Sequence, residues 1–191
     1  MRRILGANLT LGGNVLRMLL ALVVIAVAVA VPLIVTRGST QTASMVSTDP
    51  EGWSLPRLNG PGNVGLSSFR GHPLVLDFFA SWCSDCKTEL PAFADLSRRL
   101  DGSVAFAGVN SEETGDGLAM VTSTGITSWP LARDVGGREL SGLRDALEAT
   151  PGMPITAFYD AGGHLLRVRL GALTGDALTA QIDQLFHVRP A

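Results

Sequence analysis

The chain has 191 residues, 46% of them apolar, which is room for one globular domain plus about forty residues that need another explanation. Its 15 basic and 17 acidic side chains nearly cancel, so the charge balance argues against nucleic acid or an acidic polymer as partner. The two cysteines lie three positions apart, too close to staple a useful loop, and a chemical role is expected for them.

The N-terminal segment bears on the compartment. Residues 18–35 read MLLALVVIAVAVAVPLIV without one charge, about the minimum for crossing a bilayer core of roughly 30 Å. Arg2, Arg3 and Arg17 precede this run and Arg37 follows it, so the positive-inside bias places the N-terminus in the cytoplasm. The expected organisation is a cytoplasmic stretch 1–17, a single transmembrane anchor 18–36, a flexible Ser/Thr-rich linker 37–52 and an extracytoplasmic domain 53–191. A cleaved signal peptide is the competing reading, because Ala28-Val29-Ala30 has the small-x-small form of a cleavage site. Against it, the apolar run continues through Leu33, Ile34 and Val35. A buried core helix would have to explain the missing polar face. No cysteine follows the run, which excludes the lipid-anchored route.

Beyond residue 53 the pattern alternates as in a mixed α/β domain. Residues 53–69 give no assignment beyond an edge strand or hairpin. Leu74–Phe79 (LVLDFF) is apolar on both faces apart from one acid, as expected of a central strand covered by helices on both sides. Leu90, Phe93, Leu96 or Ser97, and Leu100 then recur at helical spacing, with Pro91 expected to kink that helix. Residues 104–109 read as a second buried strand, and Gly117–Thr124 and 138–149 as helices, with Arg138, Glu139 and Arg144 on a solvated face. Ile155–Tyr159 and 164–170 form a predicted antiparallel hairpin around Asp160-Ala161-Gly162-Gly163. A last helix carries Leu178, Ile182, Leu185 and Phe186 on one face.

In Trp82-Cys83-Ser84-Asp85-Cys86-Lys87 the cysteines follow a buried strand and open a helix. Unpaired N–H groups and the positive end of the helix dipole stabilise a thiolate there, which makes Cys83 the expected nucleophile. Cys86, one turn in, is the expected resolving thiol, and the pair cycles through a Cys83–Cys86 disulfide with no other cofactor. Two alternatives stand beside this one. A zinc site needs about four ligands, while His72, His164 and His187 are scattered. A passive disulfide at this spacing stabilises little.

The stretch DFFASWCSDCKTELP, Asp77 through Pro91, resembles the active-site strand, turn and helix of thioredoxins, and its Glu89-Leu90-Pro91 ending is similar to the TlpA/ResA branch of membrane-tethered thioredoxin-like proteins. Gly152-Met153-Pro154-Ile155 resembles the family's cis-proline segment, and Gly171-Ala172-Leu173 its glycine after the last strand. The resemblance implies a thioredoxin-like three-layer α/β fold, a central mixed sheet flanked by helices, preceded by the transmembrane helix. The longer segment between Val109 and Thr150 also fits this branch. Catalytic roles then fall to Cys83, Cys86, Asp77 and Glu89. Asp77 interrupts an apolar strand, where burial raises a carboxyl's pKa, and is expected to shuttle the proton of Cys86; an Asp that reaches solvent at the strand end is the alternative. Glu89 matches the acidic residue of the TlpA/ResA site, or is a solvated helix-face Glu. Trp82, Met153 and Pro154 are the expected partner-binding surface; a cis Pro154 would lay the Met153 backbone beside Cys83 so that a partner segment adds as a strand, while Trp82 has plain packing as its alternative.

One departure is informative. The family usually has proline before the second cysteine, and this chain has Asp85. A carboxylate near the Cys83 thiolate raises its pKa relative to a neutral residue, which makes the pair a weaker oxidant and leans toward reduction of partners. The branch implies exported proteins, including apocytochrome c, as partners and a membrane thiol carrier as electron donor. Two other functions compete. Residues 86–93 also resemble the sequence after a peroxiredoxin's reactive cysteine, but that motif's threonine and proline positions hold Cys83 and Phe79. A copper-handling assembly protein would use the thiols as soft ligands, yet no histidine is placed near the pair by sequence.

Overall fold

The computed structural model describes residues 46–134, 142–149 and 152–190. The expected anchor 18–36, the cytoplasmic stretch before it and linker residues 37–45 lie outside the described residues. Among those described, no helix is long and apolar enough to cross a membrane.

The chain enters the domain ahead of Trp53. Ser47 and Ser54 exchange backbone hydrogen bonds of 2.9 and 2.8 Å, and Glu51 accepts the Leu165 N–H at 3.0 Å, so the last residues of the predicted linker are bonded into the domain. The unassigned stretch that follows is a small antiparallel hairpin, β1 (Ser54–Pro56) and β2 (Asn63–Gly65), and a 3₁₀ turn over Leu66–Phe69.

Five further strands form one sheet in the order β5-β4-β3-β6-β7: β3 (Leu74–Phe79), β4 (Ala105–Ser111), β5 (Leu131–Asp134), β6 (Ile155–Tyr159) and β7 (Leu165–Leu170). β4 runs parallel to β3 and β5, whereas β6 is antiparallel to β3 and to β7, which gives the expected mixed sheet with β3 at its centre. The predicted hairpin of β6 and β7 is present. Every residue of β3 is buried, as its two-sided apolar pattern requires.

The pleat sends alternate residues to two different layers. Val75 and Phe79 join Phe106 and Phe158 against three helices, α1 (Ser84–Arg99), α2 (Gly117–Thr124) and the C-terminal helix, through Leu90, Phe93, Met120, Leu178 and Ile182. Leu74, Leu76 and Phe78 face Trp53, Leu55, Val64, Leu66 and Leu143. This second face is therefore closed mainly by the hairpin and 3₁₀ turn, not by helices as expected. The reason is local: Trp53 and Leu55, and Val64 and Leu66, recur at a period of two with only Ser54 and Gly65 between them, so a short ribbon buries them as well as a helix would.

The predicted helix over 138–149 is corrected. Its described part holds one turn, α3 (Leu143–Ala146), while Arg138 and Glu139 lie outside the described residues. Arg144, expected on a solvated face, is buried and ion-paired to Glu112, with Asp145 at 3.5 Å. The C-terminal helix, α4, spans Gly175–Phe186 and buries Leu178 and Ile182 as its spacing predicts. Pro91 sits inside α1, exposed, and the helix continues through it to Arg99.

Candidate active site

Strand β3 ends at Phe79, and four residues later Cys83 caps α1 with extended backbone angles. Cys83 and Cys86 are joined as a disulfide with their Cα atoms 5.4 Å apart, and the Cys86 N–H points at the Cys83 sulfur at 3.0 Å. That donor is one of the orphan N–H groups of a helix start, so the sequence places the first sulfur where a developing negative charge is stabilised. Cys86 is wholly buried. Cys83 retains slight exposure and lines a cavity of about 170 Å³ with Trp82, Ser84, Asp85 and Met153. Only the first sulfur of the pair thus borders open space in this cavity, as a nucleophile must. The Met153-Pro154 bond is cis, as expected, and Met153 borders the same cavity.

Two carboxyls sit behind the pair. Asp77 shares the face of β3 that Val75 and Phe79 turn toward α1, and it is completely buried. The Thr156 hydroxyl donates to one of its oxygens at 3.3 Å, while the other has no hydrogen-bond partner among the described residues. Burial pushes its pKa well up, the charge of Glu89 adds to the rise, and Thr156 opposes it. Glu89 is three residues past Cys86 on α1, hence on the same helix face. It is buried and not on a solvated face. One oxygen accepts the Leu173 N–H at 2.8 Å and the other is unpartnered. Burial raises its pKa to about 7, with Leu173 opposing and Asp85 adding to the rise. Glu89 also lines a cavity of about 290 Å³ between α1 and the loop entering α4.

A third carboxylate, not among the residues expected from the sequence, has the opposite surroundings. Glu113, in the loop after β4, accepts the Ser81 N–H at 2.8 Å, the Asn110 amide at 2.7 Å, the Thr114 and Gly115 N–H groups at 2.9 and 2.7 Å, and the Ser81 hydroxyl. Burial alone would raise its pKa; the donors from Ser81, Asn110 and Gly115 outweigh that and bring it down to about 2. The neighbouring Glu112 carbonyl accepts the Trp82 indole N–H at 2.8 Å, and the Glu112 carboxylate pairs with buried Arg144. Arg144 is itself held by Asp134, which accepts the N–H groups of Leu143 and Arg144 at 3.1 and 3.0 Å. The loop presenting Trp82 and Cys83 is thus fastened to β4 by one glutamate and, through the other, to the segment carrying α3. Two glycines make room for it: a Cβ at Gly115 would lie 2.6 Å from the Ser81 hydroxyl, and one at Gly117 2.7 Å from the Asn110 amide. The Glu112-Glu113-Thr114-Gly115 turn after a buried strand was the available signal, but acidic turn residues are common enough to pass as solvated.

The profile of the AhpC/TSA family matches residues 50–167, which include both cysteines, Asp77, Glu89 and Pro154. The chain belongs to the AhpC/TSA family. Within it, the expected TlpA/ResA resemblance is borne out by relatives of that type. The thiol-disulfide oxidoreductase ResA of Oceanobacillus iheyensis is 29% identical over 123 residues, covering 64% of this chain and 62% of that protein. The thiol:disulfide interchange protein HelX of Rhodobacter capsulatus is 32% identical over 112 residues, covering 58% and 59%. The matched stretch spans less than two thirds of the length of either relative. Among solved structures, the exposed lipoprotein thioredoxin of Streptococcus pneumoniae strain TIGR4 superposes with a TM-score of 0.56 at 24% identity, over 70% of this chain and 99% of that one, which supports the thioredoxin-like fold.

In this AhpC/TSA domain six of the seven expected site residues divide between two sides of the motif. Cys83, Trp82 and Met153 border the outer cavity, while Cys86, Asp77 and Glu89 lie on the inner, buried side. Pro154 is buried next to Met153. Among the described residues, no group of three or more His, Cys, Asp or Glu side chains is placed to hold a metal ion.

Proposed function

We propose that the chain is a thiol-disulfide oxidoreductase of ResA type that works outside the cytoplasm, tethered by residues 18–36, and reduces disulfides of exported proteins through Cys83 and Cys86. The observation that carries this reading is the disulfide at the start of α1, with Cys83 alone of the pair opening onto the cavity beside Met153 and the Glu89–Asp77 pair behind it.

In the reduced protein the Cys83 thiolate attacks a partner disulfide. One partner sulfur leaves as a thiolate, and a Cys83–partner disulfide forms. Cys86 then loses its proton to the Asp77–Glu89 pair and attacks the Cys83 sulfur, which expels the second partner sulfur as a thiolate. Two electrons have passed to the partner, and the intramolecular disulfide seen here is the oxidised product. Raised pKa values suit Asp77 and Glu89 to accept that proton near neutral pH, and Glu89, at the wall of its cavity, can pass it onward. Apocytochrome c is the partner that the TlpA/ResA resemblance favours, with a membrane thiol carrier restoring the dithiol.

A Cys86→Ser variant tests the exchange, since it stalls after the first step as a mixed disulfide through Cys83. Recovery of disulfide-linked exported proteins is expected, and no such species at all would overturn the reading. The reducing direction is tested separately by the midpoint potential, where a value near that of a strong periplasmic oxidant, about −120 mV, would refute it. A thiol peroxidase is the second reading. It would use Cys86, which is fully buried, with Cys83 and Phe79 in place of the activating threonine and proline, so only slow peroxide consumption is expected.

A further inference from the structure

The cavity beside Cys83 has walls of unlike chemistry: the Trp82 indole, the Met153 thioether, the Asp85 carboxylate and the reactive sulfur. Trp82 is 47% exposed, yet its ring is oriented, because its N–H donates to the Glu112 carbonyl at 2.8 Å and both chain neighbours are held. Ser81 is fastened to Glu113, and the Cys83 N–H donates to the Ala80 carbonyl at 3.0 Å. A half-exposed aromatic ring, held in orientation by these bonds, therefore stands at the cavity. Asp85 is exposed, and none of the ion pairs among the described residues includes it. Lys87, the nearest cation along α1, is about 200° round the helix from Asp85 and does not line the cavity. Of the other carboxylates around the motif, Glu112 is paired with Arg144, Glu113 accepts from Ser81, Asn110, Thr114 and Gly115, and Glu89 is buried.

A carboxylate in the first turn of a helix is favourable by itself. That preference explains neither the cavity nor the oriented indole beside it. Together they form a receptor for one kind of group. A guanidinium is planar, stacks on an indole face, and donates two parallel hydrogen bonds to a carboxylate, while its alkyl stem suits a thioether wall. A volume of about 170 Å³, between five and six water volumes of about 30 Å³ each, accommodates such a head group and part of its stem.

We propose that this cavity receives an arginine side chain of the partner, one or two residues from the partner cysteine that bonds to Cys83, and that Asp85 is the specificity-determining residue. The inference rests on the exchange reading above and adds the class of partner to it. Cysteines flanked by arginine are preferred, lysine serves less well because it is a point charge without a stacking plane, and acidic flanks are repelled.

The test uses the full chain, reduced, and four peptides of equal length, each bearing one cysteine blocked as a disulfide with 2-mercaptoethanol and preceded by Arg, Lys, Ala or Glu. The rate of protein oxidation is followed for each at low salt. Arginine is expected to exceed alanine by about three-fold and glutamate by about ten-fold, and the advantage should shrink at high ionic strength. In Asp85→Asn the Arg/Glu ratio should fall to about two, the remainder coming from Trp82. Because the ratio is taken within one protein, any change in the intrinsic reactivity of Cys83 cancels. An Arg/Glu ratio near one in the parent protein, or a ratio unchanged by Asp85→Asn, overturns the pocket assignment while leaving the exchange reading intact. No reaction with any peptide or with 2-hydroxyethyl disulfide overturns the exchange reading, and the pocket with it.

Discussion

Asp77 and Glu89 on one side of the motif and Glu113 on the other carry the same functional group, yet their surroundings oppose each other. The first two are buried with one oxygen each left unpartnered, and their pKa values are driven up. Glu113 is only partly buried, takes donors from Ser81, Asn110, Thr114 and Gly115, and its pKa is driven down. A carboxyl starved of donors keeps a proton within reach of neutral pH, which suits it to the proposed transfer. One saturated with donors stays ionised and serves as a fastening. The motif thus has a chemical side and a mechanical side, set by how many N–H groups the fold directs at each carboxyl.

That contrast can be broken by substitution. Asp77→Asn should slow the attack of Cys86 on the mixed disulfide by about 10²-fold at pH 7, the ordinary scale of a lost proton acceptor, read by rapid-mixing release of a labelled partner. Glu89→Gln should slow it less and remove an inflection near pH 7 from the rate profile. Rates within two-fold of the parent in both variants would make the two carboxyls bystanders. On the mechanical side, Glu113→Ala strands the Ser81 and Asn110 donors and should cost about 1–2 kcal/mol in denaturant unfolding, together with a shift in the fluorescence that Trp82 contributes. An unchanged unfolding midpoint would remove Glu113 from the scaffold.

The pH dependence of stability separates the two sides further, because they respond with opposite signs. Glu89 binds its proton more tightly in the folded protein, so its contribution is whole below about pH 4.5 and is lost as pH rises through about 7. Asp77, also raised, acts in the same direction. Glu113 is lowered, so its contribution is present above about pH 4.5 and lost as pH falls through about 2. Unfolding midpoints of the oxidised protein between pH 4.5 and 8 should therefore decline, and the decline should flatten in Glu89→Gln. An equally steep slope in that variant would show that Glu89 titrates as an ordinary surface acid.

Much of the fold was legible because it rests on short-range rules. The five apolar residues of Leu74–Phe79, the Leu90-Phe93 spacing and the turn between β6 and β7 each declare an element within about ten residues. Asp77 stood out for a related reason, as an acid in a strand with no solvated face. Glu89 was undecided from sequence, since its burial depends on Leu173, 84 positions away, and Arg144 was misread because its partner Glu112 lies in another loop. The second face of the sheet was misjudged in the same way: an apolar strand face demands a cover but does not say whether a helix or a ribbon supplies it.

Sequence alone determined that two sulfurs stand at a helix start after a buried strand, because capping, helical spacing and strand alternation are properties of neighbouring residues. The tertiary structure alone decided which sulfur borders the cavity, which carboxyls are starved of donors and which one is saturated. Those properties depend on groups that folding brings together from distant parts of the chain, and exposure and pKa respond to that assembled neighbourhood.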